Sequence, residues 1–234
     1  MHAATSALPS HDAVLGLIRS LVGEKKVDVL DLGGGSGVYA VPIAADGHTV
    51  QVLDHSNDAL ATLARRAQAE GVGERVTGHN VDLDRVGEPL AAHSADLVLC
   101  HRVLEFVESP ADMLSAAAGA LADGGMLSIV AANRPGAVLS RIIAGRFDEA
   151  NAVLDGAVPA QAGHRFDVEE LRGMLGRVGL RVTHVRGIGL IGELNPAEAA
   201  SAAGRTLGER VASDPFLAQA APLLHIIAVR GHGS

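Results

Sequence analysis

The sequence predicts an α/β protein: a mostly parallel sheet with helices on both faces, in one domain over 1–234. Three observations carry this. Apolar, strand-like runs alternate with amphipathic helical runs from Val27 onward. The first run, VDVLDL (27–32), ends beside an acid, Asp31, and enters a turn rich in glycine: Gly33, Gly34, Gly35 and Gly37. Helices between successive strands act as crossovers, and crossovers make the neighbouring strands parallel.

In HDAVLGLIRSLVG (11–23), Val14, Leu17, Ile18 and Leu21 recur at helical spacing, with Ser10 or Asp12 as a cap and Gly23 as a stop. After the first strand and its turn, 37–46 reads as a helix that tolerates Pro42 only in its first turn. TVQVLD (49–54) is a second strand, again closing on an acid, Asp54. SNDALATLARRAQAEG (56–71) opens on a serine cap, carries a Leu/Ala stripe and ends on glycine, so it is a helix. RVTGHNVD (75–82) is a short third strand. ADLVLCHRVLEFV (95–107) begins as a buried strand ending at His101 and passes into a helical turn. Pro110 and Asp112 open a helix that runs to Leu121. The Asp123-Gly124-Gly125 turn then leads into the strand MLSIVAAN (126–133). Residues 133–166 lack a strand pattern, and one amphipathic helix is expected around 136–155; this stretch reads as an insertion. FDVEELRGMLGRVG (166–179) is a capped helix, LRVTHVRGIGL (180–190) a strand, 196–212 helical, and PLLHIIAVRG (222–231) a closing strand in which His225 alternates with apolar residues.

Composition narrows the function. Only 2% of the residues are aromatic and none is Trp, so the stacking platforms that hold single-stranded nucleic acid lack raw material. The net charge of −8 is uneven: residues 1–133 carry −9, 134–186 carry +2 and 187–234 carry −1. An acidic body disfavours nonspecific binding to nucleic acid, whereas the arginines of the second half could grip an anionic substrate. No apolar run is long enough for a membrane span, and MHAATSALPSHD lacks the pattern of a signal peptide. A cytoplasmic protein without membrane association, monomeric or homodimeric, is expected. The lone Cys100 excludes an internal disulfide framework and reads as a small core residue. No histidines fall at metal-ligand spacing, so no metal site is expected.

The glycine turn is a nucleotide-sized cradle, and GSGVYA (35–40) formally fits the dinucleotide pattern with an acid following at Asp54. An NAD-dependent oxidoreductase is therefore one alternative. Asp31 argues against it: a carboxylate two positions before the glycines would repel a pyrophosphate and suits an amino or sulfonium group. Further polar residues, Asp82 and His101, arrive at later strand ends. Too little chain follows the fifth strand for a separate hydride-acceptor domain.

With these motifs in place the sequence resembles the class I S-adenosylmethionine-dependent methyltransferases. VLDLGGGSG (29–37) is similar to their first motif and QVLDHS (51–56) to their acidic second strand. NVDLD (80–84) is similar to the adenine-contacting loop, ADLVLCHRVLEFV to the fourth motif, and LADGGMLSIVAAN (121–133) to the region of strand five. HRVLEFV, NRPGAVLSRIIAGRFD (133–148) and LLHIIAVR (223–230) further resemble the tRNA 5-carboxymethoxyuridine methyltransferases. The resemblance implies a Rossmann-like sheet of seven strands with the last antiparallel, and S-adenosyl-L-methionine as cofactor. It implies cofactor-binding roles for Asp31, Gly33, Gly34, Gly35 and Gly37. It extends these to Asp54 on the ribose hydroxyls with its neighbour His55, Asp82 and Leu83 at the adenine, and His101 at the cradle.

The acceptor would then lie under 133–166, where Asn133, Arg134, Arg141, Arg146, His164 and Arg165 are candidates to hold an anionic group. His164 is the nearby candidate base. The expected reaction moves a methyl group to a carboxylate or hydroxyl oxygen of a small anionic molecule or a modified tRNA nucleoside; the charge balance does not support tRNA itself. A methyltransferase-fold protein that binds the cofactor for regulation, without catalysis, is the other alternative.

Overall fold

The computed structural model describes residues 9–85, 90, 94–156 and 163–231. These form a seven-stranded sheet in the order β3-β2-β1-β4-β5-β7-β6. The strands are β1 (Asp28–Leu32), β2 (Thr49–Asp54), β3 (Val76–Asn80), β4 (Ala95–His101), β5 (Leu121–Ala132), β6 (Leu180–Ile188) and β7 (Leu223–Arg230). Strands β1 to β5 pair in parallel, while β7 runs antiparallel between β5 and β6.

Period-two alternation sorts the side chains onto two apolar layers. On one face Leu30, Leu32, Val98, Cys100, Leu127, Ile129, Leu224 and Ile226 pack under α4 (Pro110–Gly119) and α7 (Val168–Arg177). On the other, Val29, Val50, Val52, Leu97, Leu99 and Val130 meet α1 (Pro9–Val22), α2 (Ala40–Ala45) and α3 (Asn57–Ala69). Asp31, His101, Ser128 and His225 share the register of this second face, and all four are buried.

The helix starts follow local chemistry. Ser56, Ser109 and Asp167 each accept a hydrogen bond from a backbone N–H in the first turn of α3, α4 and α7. Pro42 falls within the first turn of α2, whose start at Ala40 is later than the expected 37 because 36–39 form a turn.

The expected single helix over 136–155 is two, α5 (Arg134–Ile143) and α6 (Phe147–Leu154). The break falls at Gly145, whose φ of +69° lies in the left-handed region. Residues 157–162, part of the expected insertion, lie outside the described residues, as does the N-terminal stretch 1–8. Beyond β6 come α8 (Leu190–Leu194), which the sequence pattern did not disclose, and α9 (Ala202–Ser213). Among the described residues no helix is long and apolar enough to cross a membrane.

Candidate functional site

The carboxyl ends of β1, β2 and β4 converge on the glycine turn. Gly33 N–H donates to Leu53 O at 2.7 Å, continuing the β1–β2 ladder, and the chain turns at Gly33, whose φ is +67°. A side chain at Gly34 would collide with the Asp31 carboxylate and Val52, and one at Gly33 with Val103, so these two positions have no room for a Cβ. Asp54 closes β2 against it. One Asp54 oxygen accepts from Gly35 N–H at 2.9 Å and the other from Ser56 N–H at 2.8 Å. Each carboxylate oxygen has a second lone pair, so two acceptor positions remain for vicinal hydroxyls.

Asp31 is a strongly perturbed group at this end of the sheet. Burial, reinforced by the Asp54 charge, pushes its pKa up to about 8, and its Oδ2 is buried without a hydrogen-bond partner. An acid in that state favours a cationic neighbour, which would restore its charge. Tyr39, just before α2, stands beside it: burial and the Asp31 charge raise its phenol to about 12. The Tyr39 ring meets His101 edge-on, centroids 4.5 Å apart, and lies 4.5 Å from the ring of His11 in α1. His101 Nδ1 is likewise buried and unpartnered. Burial holds the His101 pKa well below its ordinary value, with the nearby His225 and His11 acting in the same direction.

These features fit S-adenosylmethionine. The unpartnered Asp31 oxygen suits an ammonium, the free lone pairs of Asp54 suit ribose hydroxyls, and two carboxyl groups at the turn oppose a pyrophosphate. Leu83 borders the turn within van der Waals reach of a Cβ built on Gly33. Asp82 is exposed and accepts from Asp84 N–H, and the exposed His55 ring lies 3.8 Å from Asp54. The structure therefore brings Asp31, Gly33, Gly34, Gly35, Asp54, Leu83 and His101 to one place, with Asp82 and His55 at its solvent side. Gly37 makes the exit of the turn, where any Cβ would run into Leu63.

The second half of the site surrounds Glu105. This buried carboxylate accepts from Ala132 N–H at 2.8 Å and from Arg102 Nε at 2.7 Å, and leaves Oε2 unpartnered. Burial raises its pKa while Arg102 opposes the rise. Arg102 has a φ of +61°, the left-handed region, costly for a residue with a Cβ. The return segment is tied here as well: His164 N–H donates to Glu105 O at 2.8 Å. Arg165 follows, its pKa lowered by burial first and then by the charges of Arg141 and Arg102. Among the described residues Arg141 Nε and Arg165 Nη1 are both buried with no hydrogen-bond partner; Arg141 Nε forms an ion pair with Glu149 at 3.5 Å that is not a hydrogen bond.

Not all the candidates for the substrate side gather there. Arg134 is paired with Asp167 and, at 2.8 Å, with Glu170. Arg146 faces solvent beside Glu149. Asn133 is buried, its amide donating to Gln219 O and Ala221 O, both at 2.7 Å, which pins the start of α5 to the approach of β7. The His164 side chain is exposed, its ring centroid 6.3 Å from that of Phe166. A groove of about 450 Å³ lined by Arg134, Pro135, Val138, Leu139, Ile142 and Leu154 is apolar, with its one arginine already paired.

Sequence reasoning missed Tyr39, Val103, Arg102, Glu105 and Ser128. The only tyrosine of the chain, two residues past the last turn glycine, was a usable signal for the first. His225 is packed in β7 as its alternation with apolar residues suggests, and its Nε2 also lies 2.9 Å from Ser128 Oγ, which in turn lies 2.9 Å from His101 Nε2.

Residues 30–129 match the family described as a methyltransferase domain. The chain is 34% identical over 131 residues to the tRNA 5-carboxymethoxyuridine methyltransferase of Escherichia coli (strain K12), covering 56% of this chain and 50% of that protein. It is 33% identical over 111 residues to a ubiquinone biosynthesis O-methyltransferase of Caulobacter sp. (strain K31), covering 45% and 41%. The chain thus spans about half the length, or less, of these curated relatives. Among solved structures it is similar to magnesium protoporphyrin IX methyltransferase from Synechocystis PCC 6803 with bound SAH, at a TM-score of 0.64 and 19% identity, covering 94% of this chain and 82% of that one. An S-adenosylmethionine dependent methyltransferase from Mesorhizobium loti gives 0.64 at 23% identity, covering 93% and 98%. The fold is that of the class I S-adenosylmethionine-dependent methyltransferases.

Proposed function

We propose that this chain, whose residues 30–129 match a methyltransferase domain, transfers the methyl group of S-adenosylmethionine to a carboxylate or hydroxyl oxygen of an anionic acceptor. The acceptor is a small molecule or a modified tRNA nucleoside. The observation that carries the anionic part is that Arg141 Nε and Arg165 Nη1 are buried without a hydrogen-bond partner among the described residues. Leaving two cationic donors out of water without partners is costly, and an acceptor's anionic group supplies what they lack. The names of the two curated relatives, one acting on a tRNA nucleoside and one an O-methyltransferase of ubiquinone biosynthesis, support an oxygen acceptor.

Bound S-adenosylmethionine supplies an electrophilic methyl group. The residues of the chain bind and orient. Asp31 meets the amino group, Asp54 the ribose, and Arg141 with Arg165 hold the acceptor so that its oxygen lies in line with the methyl carbon. Glu105 holds Arg102 through its carboxylate and the 163–166 return through its backbone carbonyl. A carboxylate acceptor needs no base; a hydroxyl would, and the exposed His164 is then the group at hand.

Calorimetry with S-adenosylhomocysteine against NADH tests the cofactor, and Asp54→Ala tests its seat. Tight NADH binding with none of the sulfur ligand would overturn the proposal. For the acceptor, tRNA nucleosides from a strain lacking the gene are compared with those of its parent. Loss of a methyl ester at a wobble uridine supports the nucleoside, and an unchanged profile points to a small acid.

A further inference from the structure

The sheet face that carries Asp31 also carries a hydrogen-bonded line of three buried side chains across β4, β5 and β7. His101 Nε2 lies 2.9 Å from Ser128 Oγ, and Ser128 Oγ lies 2.9 Å from His225 Nε2. All three side chains are buried. A serine hydroxyl has one proton. Between two imidazole nitrogens its oxygen can accept from both rings, or accept from one and donate to the other. Where the serine proton lies within the line, one histidine carries its proton on Nε2 and the other does not, and the two directions give His101 Nδ1 opposite character: a bare acceptor in one, an N–H donor in the other.

We infer that His225, acting through Ser128, is a positioning residue that holds His101 with its proton on Nδ1, so that His101 donates a hydrogen bond to the carboxylate of the cofactor's methionine end. The inference rests on the S-adenosylmethionine reading above. Three features favour it. Imidazole nitrogens point to different sides of the ring, so the grip of Ser128 on Nε2 turns Nδ1 away from Ser128 and β5, and the other neighbour of β4 is β1, which carries the glycine turn. That nitrogen is buried and unpartnered, and so awaits a ligand.

Second, Asp31, two residues before the turn, already presents an unpartnered oxygen there. A bare Nδ1 would add another acceptor, whereas an N–H on His101, which shares the sheet face of Asp31, makes a matched pair for an amino acid: acceptor for the ammonium, donor for the carboxylate. Third, Arg186 stands opposite His225 in the β6–β7 register. Burial first, and then the charge of Arg186, which is itself paired with Glu209, oppose a second proton on His225; the neutral ring then has one proton to place, and on Nε2 it faces Ser128. Arg19, an arginine of α1, is engaged by Asp46 at 2.7 Å and takes no part.

Nitrogen-15 NMR of histidine-labelled, ligand-free protein reads the tautomer directly, with no turnover. The expected result is a protonated Nδ1 and a bare Nε2 on His101, changing to a mixture in Ser128→Ala and His225→Leu. Calorimetry gives the second readout. His225→Leu should weaken S-adenosylhomocysteine roughly tenfold, as for part of one hydrogen bond to a charged group. Binding of 5′-methylthioadenosine, which lacks the amino-acid tail, should stay unchanged. His225→Gln, which retains an N–H for Ser128, should recover most of the loss. A proton on Nε2 of wild-type His101 would overturn the relay, and so would equal loss for both ligands. If the wild-type protein bound no S-adenosylhomocysteine, the parent reading would fall and with it the donor's target, while the ligand-free tautomer would still report on the relay.

Discussion

Replacing Asp31 by asparagine should make the ligand-free protein more stable at alkaline pH and worse at holding its cofactor. The magnitude follows from the carboxyl's displacement from an ordinary 3.8 to about 8, caused by burial and then by Asp54. A folded-state pKa above the unfolded one contributes stability that is fully present below pH 3.8 and is lost as pH rises through 8. At about 1.4 kcal/mol per unit, wild-type protein gives up roughly 3–4 kcal/mol between pH 5 and 8 through this one group. The substituted side chain has no such titration, but its amide places an unpartnered donor in the same spot, at about 1–3 kcal/mol. The two proteins should thus be similar near pH 5, and the variant more stable by roughly 2–4 kcal/mol at pH 8. Glu105, also raised, and His101 and His225, both lowered, titrate in either protein and cancel in the difference. Urea denaturation at half-unit steps from pH 5 to 8.5 gives the two curves. A wild-type minus variant difference that does not change with pH would refute the reasoning. The same group should release close to one proton at pH 7 when a cationic cofactor binds, seen as calorimetric heats that differ between buffers of unlike ionisation enthalpy and absent in the variant.

Three further outcomes are expected. Asp54→Ala removes the acceptor for the ribose and the anchor of Gly35 N–H, so calorimetry should show S-adenosylhomocysteine weakened roughly 100-fold or more; a change under threefold would refute the role. Glu105→Ala leaves Ala132 N–H unpaired in the interior and should cost roughly 2–4 kcal/mol in urea denaturation, with Glu105→Gln milder because it keeps an acceptor. Arg141→Ala and Arg165→Ala, each with a buried guanidinium nitrogen lacking a hydrogen bond among the described residues, should each raise KM for the acceptor about tenfold or more with cofactor affinity unchanged, whereas Arg134→Ala, whose guanidinium is hydrogen-bonded to Asp167 and Glu170, should leave KM near wild type. Equal effects from all three arginines would remove the distinction drawn between them.

What was legible in the sequence was local. A strand closing on Asp31, glycines that leave no room for a Cβ, and Asp54 at the end of the next strand are separated by few residues and impose their geometry on one another. Periodicity likewise located the seven strands, because alternation and burial are properties of short windows. What escaped depends on distant partners. The candidates on 133–165 could not be ranked from the sequence, because Arg134 is neutralised by Asp167, 33 positions away, and Arg141 and Arg165 come together only through the fold. Ser128 hides in an apolar strand, and its partners stand 27 positions before it and 97 after it. The break between α5 and α6 escaped for a different reason: Gly145 is compatible with a helix at modest cost, and only its left-handed conformation ends one.

The placement of the polar groups on the sheet argues for function independently of any relative. Asp31 and His101 lie on a face otherwise built from Val29, Val52, Leu97 and Leu99, where an apolar residue at either position would bury more favourably. Each has a buried atom with no partner, while the neighbouring Ser128 has partners on both sides. A purely structural network would be expected to close on itself; this one is satisfied at its His225–Ser128 end and open at the end facing the glycine turn. Glu105 repeats the pattern on the acceptor side, with one oxygen held by Ala132 and Arg102 and the other unpartnered. Stability is therefore sacrificed where ligands are expected to restore it, and saturating S-adenosylhomocysteine should raise the unfolding free energy by the logarithm of its concentration over Kd. In Asp31→Asn that gain should shrink even as the free protein becomes more stable, a reversal that a merely structural acid would not produce.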